Sequence, residues 1–453
     1  MGLTLIRKGS RTPPKDPTIA LVLAGGAMSG GAFKVGGLKA LDDYLVGRRI
    51  SDLDLYVGLS AGAILAVPLA AGISPDEMVK VLEGTSRRFD QLTPGHLYAP
   101  NFREMAERPA SFLYELMMYA PGVLWDLLRD APDLPRVLGP SLGAFVSRPS
   151  YAAAEDVLMA IANHVTPSRE MPSVINHIPS GVFENSGLER WLRHNLEGIR
   201  MPNDFAAFEA KRGKRLYLAA CALDTAERVI FGTDEKSDVT ISQAVQASAA
   251  LPLFYRPATI DGVDYIDGGI RNTANIDVAI EKGADLVICY NPFRPFHNRS
   301  EGDGDDKTFV AGHTLAERGM KMVLNQVFRT LLHSRLRIAL QRYAADRGFE
   351  GDIVLLEPRE DDADFFAINP IAFWKRADAI RHGFHSVRET VERDFPSVSA
   401  VLGRYGLKLD RKLAKRRAAR LRLRSGWRIT EAEAEVEAEA EAEARLQAVR
   451  AAG

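Results

Sequence analysis

Apolar positions arrive along this chain in two rhythms. Short continuous apolar runs at 18–24 (TIALVLA, with the β-branching of a buried strand), 53–57 (LDLYV), 215–221 (RLYLAAC) and 285–290 (DLVICY) predict strands. Apolar residues at helical spacing follow at 31–46 (GAFKVGGLKALDDYLV) and 61–71 (AGAILAVPLAA), where Pro68 is expected to kink the helix. Glycine-rich turns join each strand to its helix. Such units in succession predict an α/β fold with a mostly parallel, helix-covered sheet. Further along, 227–231 (ERVIF) and 353–358 (IVLLEP) read as strands, and 240–249 and 276–282 as helices. Asp261-Gly262 marks a hairpin turn, 298–306 a loop, and 312–347 a long amphipathic helix.

The rhythm is broken in three places. Residues 1–17 form a polar, proline-containing leader, and the main α/β domain is expected over 18–400. Residues from about 90 to 180 carry many prolines and a markedly apolar stretch, 111–128 (SFLYELMMYAPGVLWDLL). That stretch suits a lid, a membrane-contacting patch, or a buried cap helix pair broken at Pro121. In the tail, 401–453, eleven Lys/Arg between Gly403 and Arg428 precede seven glutamates at every second position from Glu431 to Glu443. Neither block reads as packed core. Leu407, Leu409, Leu413, Leu421 and Trp427 among the arginines of 403–428 suit an anionic membrane surface; a solvated helix or neutralisation by the Glu/Ala block competes with that reading.

Composition narrows the function classes. Lys+Arg 58 against Asp+Glu 59 argues against a general nucleic-acid binder. Cys221 and Cys289, the two cysteines, sit in apolar runs and read as core residues rather than a disulfide or a metal pair. The N-terminal residues lack a signal-peptide pattern, Ile6 stands where myristoylation requires Ser or Thr, and no run reaches the length of a membrane span. A cytoplasmic protein, peripheral on the inner membrane face if the tail docks, is expected.

Gly58-Leu59-Ser60-Ala61-Gly62 matches the nucleophile elbow, a tight strand-to-helix turn that exposes a serine hydroxyl. Gly139-Pro140-Ser141-Leu142-Gly143 matches too, but lacks a strand before it and a helix after it, so Ser141 reads as loop. A tetrahedral oxyanion needs preorganised N–H donors, and Gly25, Gly26 and Ala27, leaving one strand and opening a helix, can supply them from the backbone. The loop has neither the Lys-Ser/Thr of a nucleotide phosphate loop nor dinucleotide glycine spacing. For a general base, Asp267-Gly268-Gly269 ends a strand and turns, which aims a carboxylate. Among the nine histidines, His297 and His313 are the alternatives for a triad. No cluster has metal-ligand spacing, and no metal or other cofactor is expected.

A glycine loop, a serine elbow and a downstream Asp-Gly-Gly in this order resemble the patatin-like phospholipases. So do LDTAERVIF at 223–231 and ASAALPLFYRPATIDGVDYIDGGIRNTANIDVAIEKGADLVICY at 247–290. The resemblance implies a three-layer α/β/α fold with a helical cap insertion and a Ser60–Asp267 dyad without a histidine. It implies Gly25, Gly26 and Ala27 as the oxyanion loop, and a phospholipid or lysophospholipid ester as substrate. One position departs: where the family carries Arg or Lys in the loop, this chain has Ser29 or Gly30. A noncatalytic membrane scaffold of the same fold and a cytosolic esterase or thioesterase remain as alternatives.

Overall fold

The computed structural model describes residues 2–7, 13–129, 134–149, 153–154, 156–157, 177–298, 314–346 and 348–418. The chain divides into two compact units, residues 1–99 with 184–453, and residues 100–183.

Nine strands of the larger unit form one sheet. In chain order they are β1 (Leu3–Ile6), β2 (Ile19–Leu23), β3 (Leu55–Leu59), β4 (Arg215–Ala222), β5 (Arg228–Phe231), β6 (Ala258–Ile260), β7 (Val263–Asp267), β8 (Leu286–Tyr290) and β9 (Asp352–Leu356). Across the sheet the order is β1-β9-β8-β2-β3-β4-β7-β6, with β5 also paired to β4. Strands β9, β8, β2, β3 and β4 run parallel, and the remaining four pair antiparallel. The helices that frame the site are α1 (Ala27–Tyr44), α2 (Ala61–Ala70), α3 (Pro75–Glu83), α4 (Ile241–Ser248), α5 (Ile276–Glu281), α6 (Met320–Ala345) and α7 (Arg376–Arg393).

The continuous apolar strands behave as their composition requires. Every residue of β2 is buried. Ile19, Leu21 and Leu23 point to a core shared with α1, α2, α3 and α7, whereas Ala20 and Val22 point to a second core with α5 and α6. On the first face, α1 and α7 cross in close contact. A Cβ at Gly36 would lie 1.9 Å from the Ile380 carbonyl oxygen, and one at Gly383 1.9 Å from that of Phe33.

Several expectations shift. β3 lies two residues later than 53–57, which puts Ser60 directly at its end. Leu3–Ile6, inside the expected leader, pairs with β9, because an apolar segment finds an open sheet edge there. Pro68 sits within α2, which continues to Ala70; packing of a wholly buried helix outweighs one missing hydrogen bond. The tail packs as far as residue 418. Leu407, Ala414 and Ala418 are buried in the first core, and the Arg417 guanidinium donates to the carbonyls of Asp42, Asp43 and Leu45 at the C-terminal end of α1. Leu407 is therefore not available to a membrane, and Leu421, Trp427 and the Glu/Ala block lie outside the described residues.

The smaller unit contains a helix, Phe102–Arg129, that runs unbroken past Pro121, and a second, Leu134–Ser147, that includes Ser141. Ser141 is thus helical rather than a loop residue, and the described residues just before it, from Leu134, are helix rather than strand. Leu113, Tyr114, Met117, Met118 and Trp125 are exposed, and the expected break at Pro121 is absent from this helix. Among the described residues no helix is long and apolar enough to cross a membrane.

Candidate active site

Ser60 occupies the turn between β3 and α2 with φ 55° and ψ −127°, a backbone state that a non-glycine residue holds only under constraint. The flanking glycines supply that constraint. A Cβ at Gly62 would stand 2.1 Å from the Leu23 carbonyl oxygen and one at Gly58 2.6 Å from the Ala63 Cα, so any side chain would push the helix off the strand ends. The Ser60 N–H donates to Ser248 Oγ at 2.8 Å, and that hydroxyl donates onward to the Ala219 carbonyl at 2.6 Å. Ser248, at the end of α4, thereby pins the elbow to β4. Local pattern could not have found it, since 188 residues separate the two serines.

Asp267 is the last residue of β7 and is buried. Its N–H donates to the Ala250 carbonyl at 2.9 Å, and its carboxylate accepts the Gly269 N–H at 2.8 Å. The turn that Gly268 and Gly269 permit thus holds the acid in place. Burial pushes the carboxyl up to about 6, against the opposing pulls of the Ser60 hydroxyl, the Gly269 N–H and the Lys34 ammonium. Antiparallel pairing of β7 with β4, itself parallel to β3, carries Asp267 to the sheet end where Ser60 stands.

Gly25 lies beside the elbow: a Cβ there would be 3.4 Å from Ser60 Cβ and 3.9 Å from its Oγ. The N–H groups of Met28 and Ser29 are spent on the Pro370 carbonyl. Those of Gly25, Gly26, Ala27 and Ala61 have no acceptor among the described residues, so four backbone donors remain around the serine. Ala61, the residue after the serine, escaped the sequence reading.

Lys34 escaped it as well. Its side chain is wholly buried beneath the glycine loop, and its ammonium donates to the carbonyls of Ala24 and, at 2.8 Å, of Gly25. Burial brings its pKa down to about 7 although Asp267 and Cys289 pull it up. The basic side chain missing at Ser29 or Gly30 thus has a counterpart that holds the loop from below. Because α1 is buried on nearly every side, no amphipathic pattern sets this lysine apart. Of the histidine alternatives, His297 faces Glu360 at 3.8 Å, and His313 lies outside the described residues.

An apolar cavity of about 50 Å³ begins at the same loop and elbow. Ala27, Gly31, Ala61, Ile64, Leu65 and Val81 are among its walls, so it runs between α1 and α2 toward α3.

A sequence model described as patatin-like phospholipase matches residues 21–280, more than half of the chain, and the chain belongs to that family. The family's fold, a mostly parallel sheet between helical layers, is the one described above. Among curated relatives, the "Uncharacterized protein YjjU" of Escherichia coli (strain K12) is 26% identical over 150 residues, 33% of this chain and 39% of its own. The "Probable lipid hydrolase 463L" of Invertebrate iridescent virus 6 is 28% identical over 103 residues, 22% of this chain and 36% of its own. The chain thus spans well under half the length of either relative. Of solved structures, VipD from Legionella pneumophila shares 15% identity at a TM-score of 0.37, covering 86% of this chain and 70% of VipD.

Proposed function

We propose that this protein hydrolyses carboxylic esters of lipids, with Ser60 as nucleophile and Asp267 as its base. The observation that carries the reading is the convergence, at one sheet end, of a constrained serine, a buried carboxyl with a raised pKa, free backbone donors and an apolar cavity. Membership in a family named for phospholipases supports the substrate class.

In this mechanism Ser60 Oγ bonds to the ester carbonyl carbon while Asp267 takes the hydroxyl proton. The carbonyl oxygen becomes an oxyanion held by N–H groups of Gly25, Gly26, Ala27 and Ala61. Collapse breaks the ester C–O bond, and the leaving alcohol receives the proton from Asp267. Water then attacks the acyl-enzyme, Asp267 taking its proton and returning it to Ser60. The first carbons of the acyl chain enter the cavity between α1 and α2.

The test is labelling by a fluorophosphonate together with turnover of a phospholipid and lysophospholipid panel on vesicles. Wild type should label and turn over, and Ser60→Ala should do neither. Equal labelling of the two would defeat the assignment of Ser60, and turnover confined to soluble esters would defeat the lipid substrate.

A further inference from the structure

Helix α6 is built inside out over its first three turns. Polar side chains face the protein: Asn325 donates to the Phe366 carbonyl at 3.2 Å, Gln326 both donates to and accepts from the Phe296 backbone, and buried Arg329 donates to the carbonyls of Pro292 and Arg294 at 3.2 Å. Apart from Met322, which packs with Phe296 and Phe366, apolar side chains face away. Met320 (75% exposed), Val323, Leu324, Val327, Phe328 and Leu331 (52%) recur at spacings of three and four residues and so form one stripe, which Ile338 extends. Single exposed apolar residues are ordinary, but a continuous stripe on one helix is not.

Charge identifies what the stripe fits. From Met320 to Ala345 the helix has no Asp or Glu, while Lys321, Arg335, Arg337 and Arg342 are all exposed. None of these four forms an ion pair with a described residue. An apolar face edged by cations complements a layer of anionic headgroups over hydrocarbon.

Position supports the same occupant. Arg335 donates to the Ile270 carbonyl at 2.7 Å, and Thr273 Oγ donates to the Leu332 carbonyl at 2.9 Å, so α6 backs onto the turn that leaves Asp267. Arg329 holds the loop whose Phe293 ring lies against Gly25. Ile270, 47% exposed, extends the apolar surface toward the site.

We propose that the outward face of α6 docks on an anionic lipid surface and brings the mouth of the Ser60 site to it. The docking is independent of hydrolysis and is tested without it. Because Cys221 and Cys289 are buried, Leu331→Cys in a full-length Ser60→Ala chain accepts an environment-sensitive fluorophore at one exposed position. Vesicles of phosphatidylcholine alone, or with about 30 mol% phosphatidylglycerol, are added. Half of each set carries brominated acyl chains.

The expected result is a blue shift and bromine quenching on the anionic vesicles. Partitioning should weaken about tenfold or more when Val327→Asp and Phe328→Asp are added together, and should weaken with salt. An unchanged melting curve would show that these exposed substitutions leave the fold intact, and the label reports insertion in the unsubstituted stripe regardless. Three outcomes overturn the proposal: no vesicle binding; binding in which the label stays in water, which assigns contact to another part of the chain; or a label shielded without vesicles in proportion to protein concentration, which assigns the face to a second copy.

Discussion

The buried carboxyl of Asp267 sets a stability cost that a role as the proposed base would account for. With its pKa raised from 3.8 to about 6, folding favours the protonated form. The unfavourable contribution is absent below the unfolded pKa and grows as pH rises, to about 3 kcal/mol above the folded value. Asp267→Asn removes the charge while its amide oxygen can still accept the Gly269 N–H. It should abolish turnover yet raise the melting temperature at pH 8 and not at pH 4, as paired thermal scans will register. In the wild type the same pKa should place the acid limb of kcat/KM near pH 6, activity rising as Asp267 ionises, which a pH–rate profile checks. Lys34 lowers the Asp267 pKa and holds two carbonyls leading into the glycine loop. Lys34→Met should therefore move that limb to higher pH and reduce kcat by about tenfold or more, with less effect on KM. An unmoved limb would leave Lys34 a merely structural residue.

At the scale of elements, the elbow depends on contacts from three directions. Gly62 meets the end of β2, Gly58 meets α2, and Ser248 accepts the N–H of Ser60 itself. Ser248→Ala strands that buried N–H and should cost about 1–3 kcal/mol in denaturant unfolding, with a loss of kcat larger than a uniform loss of folded protein would give. Gly62→Ala should be worse, since the added carbon meets a backbone oxygen that cannot move without the strand. These contacts mark where the sequence is readable. Continuous apolar runs declared β2, β4 and β8 because a strand buried on both faces has no polar positions to confuse the pattern, and glycines declared the turns at 25–26, 58–62 and 268–269. Ser248 and Lys34 remained hidden, being ordinary members of buried helices whose importance comes from partners on other elements. The leader strand and the packed part of the tail were hidden for a related reason: an edge strand and a helix cap acquire their role only once the sheet edge and the end of α1 exist.

On the scale of the whole molecule, the question is whether residues 100–183 are needed for the chemistry or are an insertion into a unit complete without them. The two cores of the larger unit draw on residues 19–97 and 188–418, and the whole candidate site lies within those spans. The inserted unit begins and ends at one place: the Asn101 N–H donates to the Val182 carbonyl at 3.0 Å, and its side-chain amide donates to the Gly181 carbonyl at 3.1 Å. A chain whose ends already meet can be cut out and closed by a short turn at little entropic cost. Replacing 102–180 with a few Gly/Ser residues should leave a cooperatively melting protein that labels with fluorophosphonate at Ser60 and hydrolyses a short soluble ester within about tenfold of wild type. Since α6 belongs to the larger unit, the shortened chain should also retain partitioning onto anionic vesicles. Loss of partitioning alone, with labelling intact, would move lipid contact to the exposed apolar face of Phe102–Arg129. Loss of labelling in a protein that still melts cooperatively would mean that the insertion completes the site.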